Sequence, residues 1–289
     1  MLGLPPEVQA LLFDLDGVLT RTATQHAAAW KQMFDDFLAG QVDGGGSPQA
    51  PFTGQDYDRY VDGRPRLDGT RAFLASRGIE LPEGTPADPP GTATVYGLSN
   101  RKNELVLAMM AKDGVEVYPG SVRYVDEARR AGLKMAVVSS SANARDVLQS
   151  AGLADRFDVV VDGRVAREQG LAGKPAPDTF LAAARALGAG AAEAAVFEDA
   201  IAGVEAGRAG DFARVVGVDR VGQAADLASH GADVVVADLA ELLDEPGPAT
   251  GGADAAVAAE AGGSGAAEPG GPHEPDPEPE QVERGAGSS

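Results

Sequence analysis

The chain has 289 residues, of which 44% are hydrophobic, so it is long enough to bury the core of one large domain or two modest ones. Its formal net charge of −20 argues against a nucleic-acid partner, and no apolar run has the length of a membrane span. The lack of cysteine excludes disulfides and thiolate metal sites, and with no secretory signal at the N-terminus we expect a cytoplasmic protein.

The first predicted strand, Leu11–Phe13, runs directly into Asp14 and Asp16 in the stretch LLFDLDGVLTRT. Aspartate and glycine are common in ordinary turns after a strand. The same two carboxylates could instead be presented at the strand end for chemistry. This stretch alone leaves both interpretations open.

A mainly helical segment is predicted for residues 24–114. Its apolar stripe at helix spacing consists of Trp30, Met33, Phe34 and Phe37. Two Gly/Pro-rich stretches, AGQVDGGGSPQAPFTG and LPEGTPADPPGTAT, are predicted to be loops. Because the segment follows the first strand, we expect it to form a helical cap domain inserted into the core.

Residues 115–244 alternate short apolar runs with helical patterns, from KMAVV through FDVVV, AAVF and RVVGV to DVVVA. This alternation predicts right-handed βαβ units in a mostly parallel sheet that is covered on both faces. The predicted fold is therefore α/β, with a Rossmann-like parallel-sheet core formed by residues 1–23 and 115–244. Residues 245–289 are acidic and rich in Gly, Ala and Pro, which predicts a disordered tail.

Polar side chains follow the predicted strands at the edge where open parallel sheets bind their ligands. They are Asp14 and Asp16 after the first strand, Ser139–Ser141 after KMAVV, Lys174 after FDVVV, and Glu198 and Asp199 after AAVF. Asp14, Glu198 and Asp199 would repel one another without a cation, and Mg²⁺ prefers oxygen ligands. The pattern favours a phosphoryl-transfer site.

In such a site Asp14 would be the nucleophile, and Asp16 would give and take the proton of the leaving or attacking oxygen. Lys174 and Ser139 would hold the phosphoryl oxygens. Each residue also has an ordinary explanation, such as a serine that caps a helix or a lysine on the surface. Their order along the chain, each at a strand end, favours the functional interpretation.

The stretches DLDGVLT, VVSSS, GKPAPD and FEDAIAG resemble, in this order, the four motifs of the haloacid dehalogenase-like phosphotransferase superfamily. The resemblance covers roughly residues 8–37 and 115–244. It implies an aspartyl-phosphate mechanism with Mg²⁺, in which Asp16 also lends its backbone carbonyl to the metal. The implied site residues are the nucleophile and metal ligand Asp14, the general acid/base Asp16, the phosphate-binding Ser139, the motif lysine Lys174, and the metal-side carboxylates Glu198 and Asp199.

A finer resemblance, to the β-phosphoglucomutase-like subfamily, is carried by TRTATQHAAAWK, GRPR, NRKNE and SSSAN. The substrate-binding residues that it implies are Thr22, His26, Trp30, Arg66, Lys102, Asn103, Ser140, Ser141 and Asn143. Arg66 would bind the second phosphate of a bisphosphate, and His26 would hydrogen-bond Asp16 only when the cap is shut. Arg21 and Ala142 depart from the subfamily pattern, at positions where an acidic residue and a lysine are found.

This resemblance implies interconversion of β-D-glucose 1-phosphate and glucose 6-phosphate through β-glucose 1,6-bisphosphate. Two alternatives stay open: a sugar-phosphate or phosphoglycolate phosphatase, and a catalytically silent regulatory or binding domain. The expected partner is a small sugar phosphate, with no nucleic acid and no membrane. The charge and the lack of an obvious apolar patch predict a monomer.

Overall fold

The computed structural model describes residues 2–43 and 49–244. Its six strands are β1 (Ala10–Phe13), β2 (Lys134–Val138), β3 (Val159–Val161), β4 (Ala194–Glu198), β5 (Arg214–Val218) and β6 (Val234–Val236). They form one sheet in the order β3-β2-β1-β4-β5-β6, and every neighbouring pair is parallel. The predicted α/β fold with a parallel sheet is confirmed.

The helices between β1 and β2 are α1 (Ala23–Asp43), α2 (Gly54–Asp56), α3 (Arg66–Ser76), α4 (Val95–Asp113) and α5 (Pro119–Arg130), with a π-helix at Tyr57–Val61. After β2 come α6 (Ala144–Ser150), α7 (Gly163–Gln169), α8 (Asp178–Leu187), α9 (Ile201–Ala209), α10 (Ala224–Ser229) and α11 (Glu241–Asp244). Single 3₁₀ turns lie at Ala154–Arg156 and Ala191–Glu193. No described helix is long and apolar enough to cross a membrane.

The central strand β1 is fully buried because helices cover both faces of the sheet. Alternate side chains of a strand point to opposite faces. Leu11 and Phe13 accordingly pack into one apolar cluster, whereas Ala10 and Leu12 pack into the other. This double burial fixes β1 in register with β2 and β4, and it fixes the position of the residue that follows the strand.

Residues 23–113, which carry α1 to α4 and which we call the helical insert, contain a group of packed aromatic rings that belongs to the same apolar cluster as Leu11 and Phe13. The rings of Phe34 and Phe73 lie 4.0 Å apart between centroids, and Trp30 stacks on Phe34 at 5.3 Å. Residues 2–43 and 49–244 belong to one compact unit. The division into core and cap domains at residues 23/24 and 114/115 therefore stays a prediction.

One local prediction is wrong. Helix α1 continues to Asp43 and so extends into the first predicted loop, because the single Gly40 costs a helix only about 1 kcal/mol. Helix α7, which was not predicted, lies between β3 and the loop that carries Lys174. The second Gly/Pro-rich stretch is a loop as predicted. The predicted disordered tail, 245–289, lies outside the described residues.

Candidate active site

Asp14 is the first residue after β1, at the carboxyl edge of the sheet and between β2 and β4. Its backbone N–H donates to the carbonyl oxygen of Phe197 at 2.9 Å, so the residue continues the strand pairing by one step. The residue is only 7% exposed. One of the two central strands of the sheet thus delivers this carboxylate, and the backbone of Asp14 is held by β4.

Lys174 joins the two strands that carry acidic residues. Its ammonium donates to Asp14 Oδ1 at 2.5 Å and to the carbonyl oxygen of Val138 at 3.1 Å, and it also contacts Glu198 Oε1. Lys174 is buried, and the two carboxylates raise the pKa of its ammonium above the usual value despite that burial. The lysine is therefore a permanent cation between Asp14 and Glu198.

Three buried carboxylates form a candidate metal centre. One oxygen from each of Asp14, Glu198 and Asp199 lies within 4.8 Å of the other two. Burial raises the pKa of Asp14 to about 6 and that of Glu198 to about 7, and it raises the pKa of Asp199 well above its usual value. It costs free energy to keep three buried carboxylates ionised unless a cation lies among them. Their oxygen atoms are the ligands that a hard divalent ion prefers.

The three carboxylates are not equivalent. Both oxygens of Glu198 are already held, one by Lys174 and the other by the backbone N–H of Ala200 at 3.0 Å. Within the described part of the chain, the carboxylate of Asp199 accepts no hydrogen bond, although its backbone carbonyl accepts one from Gln223 at 2.8 Å. We therefore expect Asp14 and Asp199 to contact a metal directly and Glu198 to act through Lys174.

Asp16 lies at the junction between the sheet and the helical insert. Its Oδ1 accepts a hydrogen bond from Thr22 and lies 3.6 Å from Nε2 of His26. The other ring nitrogen of His26, Nδ1, lies 2.8 Å from Nζ of Lys102. Burial raises the pKa of Asp16 and, together with Lys102, lowers that of His26 well below its usual value. These predicted site residues are brought together, and a neutral imidazole faces the carboxyl.

The loop after β2 contains the three predicted serines. Ser139 is 3% exposed, and its Oγ accepts the backbone N–H of Ser141 at 3.1 Å. Ser140 Oγ donates to the carbonyl oxygen of Gly63 in the helical insert at 2.7 Å. Asn143 reaches the insert through its Nδ2, which donates to Oδ1 of Asn103 at 2.9 Å. The loop thus supports the Asp14 end of the site and also contacts the insert.

A cavity of about 340 Å³ separates the sheet edge from the helical insert. Of the predicted site residues, those that line it are Asp14, Asp16, His26, Trp30, Arg66, Lys102, Asn103, Ser139, Ser140, Ser141, Asn143 and Asp199. Thr22, Lys174 and Glu198 do not line the cavity. Thr22 and Lys174 contact the lining residues Asp16 and Asp14, and Glu198 contacts Lys174. Lys102 is 4% exposed, and burial and then Arg66 lower its pKa to about 7.

Two residues at this site were not predicted from the sequence. Asp62 precedes α3 and lines the cavity; burial raises its pKa to about 7, and Glu198 adds to this, whereas a hydrogen bond from Tyr57 opposes it. Asp62 is also the carboxylate that contributes most, after burial, to the raised pKa of Asp199. No motif signalled it, because a lone aspartate before a glycine normally marks a turn.

Arg220, after β5, is a further unpredicted residue, and it supports the loop behind Asp16. Its Nε donates to the carbonyl oxygen of Gly17 at 2.9 Å, and its guanidinium lies 3.6 Å from the centre of the Tyr118 ring. Gly17 has a φ of +93°, and a Cβ there would lie 1.7 Å from Oδ2 of Asp199. The turn after the nucleophile is therefore held by a residue from the far side of the sheet.

Comparison with known proteins gives the same family as the motifs. The family description "haloacid dehalogenase-like hydrolase" matches residues 8–211. The chain is 57% identical over 248 residues to the beta-phosphoglucomutase of Mycobacterium bovis, a match that covers 84% of this chain and 94% of that protein. It is 32% identical over 239 residues to the beta-phosphoglucomutase of Bacillus subtilis, which covers 82% of this chain and 93% of that one.

Solved structures agree in fold. The crystal structure of a beta-phosphoglucomutase from Clostridium difficile superposes with a TM-score of 0.64 at 24% identity, covering 81% of this chain and 93% of that one. The family match extends over most of the described residues, and it includes Asp14, Ser139, Lys174 and Asp199. The chain therefore belongs to the haloacid dehalogenase-like hydrolase family.

Proposed function

We propose that this protein interconverts β-D-glucose 1-phosphate and glucose 6-phosphate through an aspartyl-phosphate on Asp14 and a free β-glucose 1,6-bisphosphate. The observation that carries the proposal is a single cavity with a nucleophile at one end and a cation at the other. Asp14 and Ser139 line the sheet side, and Arg66 lines the insert side. A monophosphate hydrolase needs only the first end, whereas a sugar bisphosphate has a phosphate for each.

The reaction starts with a phosphoryl group on Asp14. Asp16 takes the proton from the 6-hydroxyl of β-glucose 1-phosphate, the freed oxygen attacks phosphorus, and the bond from phosphorus to Asp14 breaks. Lys174 and Ser139 stabilise the charge on the transferring group. This half-reaction leaves the bisphosphate and a free Asp14 carboxylate.

The second half-reaction reverses these roles on the other phosphate. After the bisphosphate has turned round, Asp14 attacks the phosphorus at C1, and the C1 oxygen leaves with the proton that Asp16 holds. Arg66 now binds the 6-phosphate. Burial raises the pKa of Asp16, which suits a group that must carry a proton between the two steps.

We further propose Mg²⁺ as the metal, held by Asp14 and Asp199 and by the backbone carbonyl of Asp16. A bound Mg²⁺ supplies positive charge that offsets the anionic phosphate and carboxylates. The buried carboxylate cluster and the family membership support a metal at this place. In this arrangement Glu198 holds Lys174 in position and does not bind the ion directly.

The relatives support the choice of substrate class. The protein at 57% identity is named a beta-phosphoglucomutase, and so is the Bacillus subtilis protein at 32%. A sugar phosphate is therefore the substrate class to test first. The monomeric state and the cytoplasmic location stay predictions.

One assay tests the proposal. The protein receives β-glucose 1-phosphate, Mg²⁺ and a trace of glucose 1,6-bisphosphate, and glucose 6-phosphate and inorganic phosphate are measured in parallel. We expect glucose 6-phosphate as the main product and no turnover by Asp14→Asn. Mostly inorganic phosphate would identify a phosphatase instead, and no turnover of any sugar phosphate would favour a silent domain.

A matched pair of variants tests the far end of the cavity. Arg66→Ala removes the cavity arginine, whereas Arg59→Ala removes an exposed arginine of the same insert that does not line the cavity. We expect Arg66→Ala to lose at least tenfold more in the mutase reaction than in acetyl phosphate hydrolysis. Arg59→Ala should change both rates less than twofold, and equal losses in Arg66→Ala would contradict its assignment.

A further inference from the structure

Helix α7 presents one face to the cavity. Gly163, Ala166 and Arg167 line it, and their spacing of three and four residues places them on the same side of a helix. The backbone N–H of Gly163 donates to the carbonyl oxygen of Ser141 at 3.1 Å, and a Cβ at Gly163 would lie 2.8 Å from the carbonyl oxygen of Ser140. The helix therefore starts directly against the serine loop, with Arg167 one turn further along the cavity wall.

The position of this helix is well fixed. Its N-cap residue Asp162 is fully buried and accepts the backbone N–H groups of Arg164 and Val165 at 3.0 and 2.9 Å. Gly170 ends it in the left-handed conformation, with a φ of 65°. The backbone of Arg167 therefore has a fixed position, and only its side chain is free to move.

Three arginines line this cavity without a carboxylate partner among the described residues: Arg64 and Arg66 from the insert, and Arg167 from the opposite wall. Neither Arg66 of the insert nor Arg167 of the core belongs to an ion pair among residues 2–43 and 49–244. Within the same residues, Nε of Arg66 is buried and has no hydrogen-bond partner. Burial and then the charge of Arg167 lower the pKa of Arg66 to about 10, so the two guanidinium groups repel each other.

We propose that Arg167 is a second arginine of the distal phosphate subsite, where it binds, together with Arg66, the phosphate that points away from Asp14. This inference rests on the proposed function and adds a specificity residue to it. A phosphate dianion has enough oxygens for two guanidinium groups, and each forms charge-assisted hydrogen bonds with it. Because Arg66 belongs to the insert and Arg167 to the core, the bound phosphate joins the two parts.

The test compares Arg167→Gln with Arg164→Gln. Arg164 belongs to the same helix, does not line the cavity, and pairs with Asp146 at the surface at 3.3 Å. We expect Arg167→Gln to raise the KM for glucose 1,6-bisphosphate about tenfold, the loss of one charge-assisted hydrogen bond. The effect on acetyl phosphate hydrolysis should be several times smaller, and Arg164→Gln should match the wild type within twofold.

Ionic strength supplies a second readout. Screening weakens an exposed charge pair, so the KM of the wild type for the bisphosphate should rise with salt more steeply than that of Arg167→Gln. A KM change below twofold in Arg167→Gln, or an equal loss in acetyl phosphate hydrolysis, would overturn the assignment. A salt dependence identical to that of the wild type would also overturn it.

Failure of the proposed function is recognised separately, because the wild type would then form no glucose 6-phosphate. In that case the subsite is tested by calorimetry with glucose 1,6-bisphosphate and Mg²⁺ on Asp14→Asn, which does not react. Binding to Asp14→Asn/Arg167→Gln about tenfold weaker than to Asp14→Asn would support the second arginine. Equal affinities would overturn it.

Discussion

Replacement of Lys174 by methionine offers a sharp test of the electrostatics at the nucleophile. Methionine has a similar length but no charge, so the change removes the ammonium and little of the packing. The wild-type ammonium contacts Asp14 Oδ1 at 2.5 Å, the carbonyl oxygen of Val138 at 3.1 Å, and Glu198. In the metal-free protein the variant therefore leaves two buried carboxyl groups without their cation.

The size of the effect should depend on pH. Removal of one partner from a buried ion pair lowers the free energy of unfolding by about 3–5 kcal/mol. We expect this full loss at pH 8, where the carboxylates of the unfolded chain are ionised. The pKa values of Asp14 and Glu198 are already raised to about 6 and about 7, and they rise further without the lysine. Near pH 5 the folded state holds both protons at little cost, since the unfolded pKa values lie near 4. Both groups are also largely protonated in the folded wild type at that pH, so we expect a clearly smaller loss there than at pH 8.

The measurement is urea unfolding of the wild type and Lys174→Met in EDTA at pH 8 and pH 5. The matched control is Lys112→Met, which removes an exposed lysine from the last turn of α4 and should change the free energy of unfolding by less than about 0.5 kcal/mol at both values. A loss in Lys174→Met that is equal at the two pH values would refute the coupling to Asp14 and Glu198. A loss below about 1 kcal/mol at pH 8 would refute the buried pair itself.

Three further predictions concern the same edge of the sheet. Asp62→Asn removes a half-buried charge that helps to raise the pKa of Asp199. In EDTA at pH 8 we therefore expect scanning fluorimetry to show a Tm a few degrees above that of the wild type, and a lower Tm would contradict this. Gly17→Ala should lose at least a hundredfold in turnover because its Cβ would collide with Asp199, whereas Gly91→Ala, with a φ of +88° but no atom within 4 Å, should lose stability alone. Addition of Mg²⁺ should raise the Tm more at pH 8 than at pH 5, since the acids with raised pKa values are neutral at the lower pH; an equal rise would contradict the metal site.

The strand-end residues were predictable because one rule covers them. Parallel strands end at a common edge, so Asp14, Ser139 and Asp199 had to meet once the alternation of strands and helices was recognised. Lys174 follows α7 and reaches this edge from the loop before α8. The residues of the insert depend on how α1, α3 and α4 pack, and sequence spacing does not encode that packing. Only the family resemblance pointed to Arg66 and Lys102.

Helix α7 was not predicted, although the residues that flank it are typical of helix ends. Its sequence is short and polar, so it has no apolar stripe at helix spacing. Asp162 before it and Gly170 after it are nevertheless the residue types that begin and end helices. Asp62 carries no comparable signal, because its burial follows entirely from the contact between the insert and the sheet edge.

The hydrogen bonds from Ser140 to Gly63 and from Asn143 to Asn103 have a consequence for the rate of the proposed reaction. Two such bonds contribute about 2 kcal/mol to the contact between the serine loop and the helical insert, which is about a thirtyfold preference. Contacts this weak can break and re-form many times during one catalytic cycle, because loop and domain motions in proteins occur in microseconds to milliseconds. The bisphosphate then has repeated chances either to turn round and rebind or to escape. The ratio of those two rates would set how many turnovers the enzyme completes before Asp14 must be phosphorylated again.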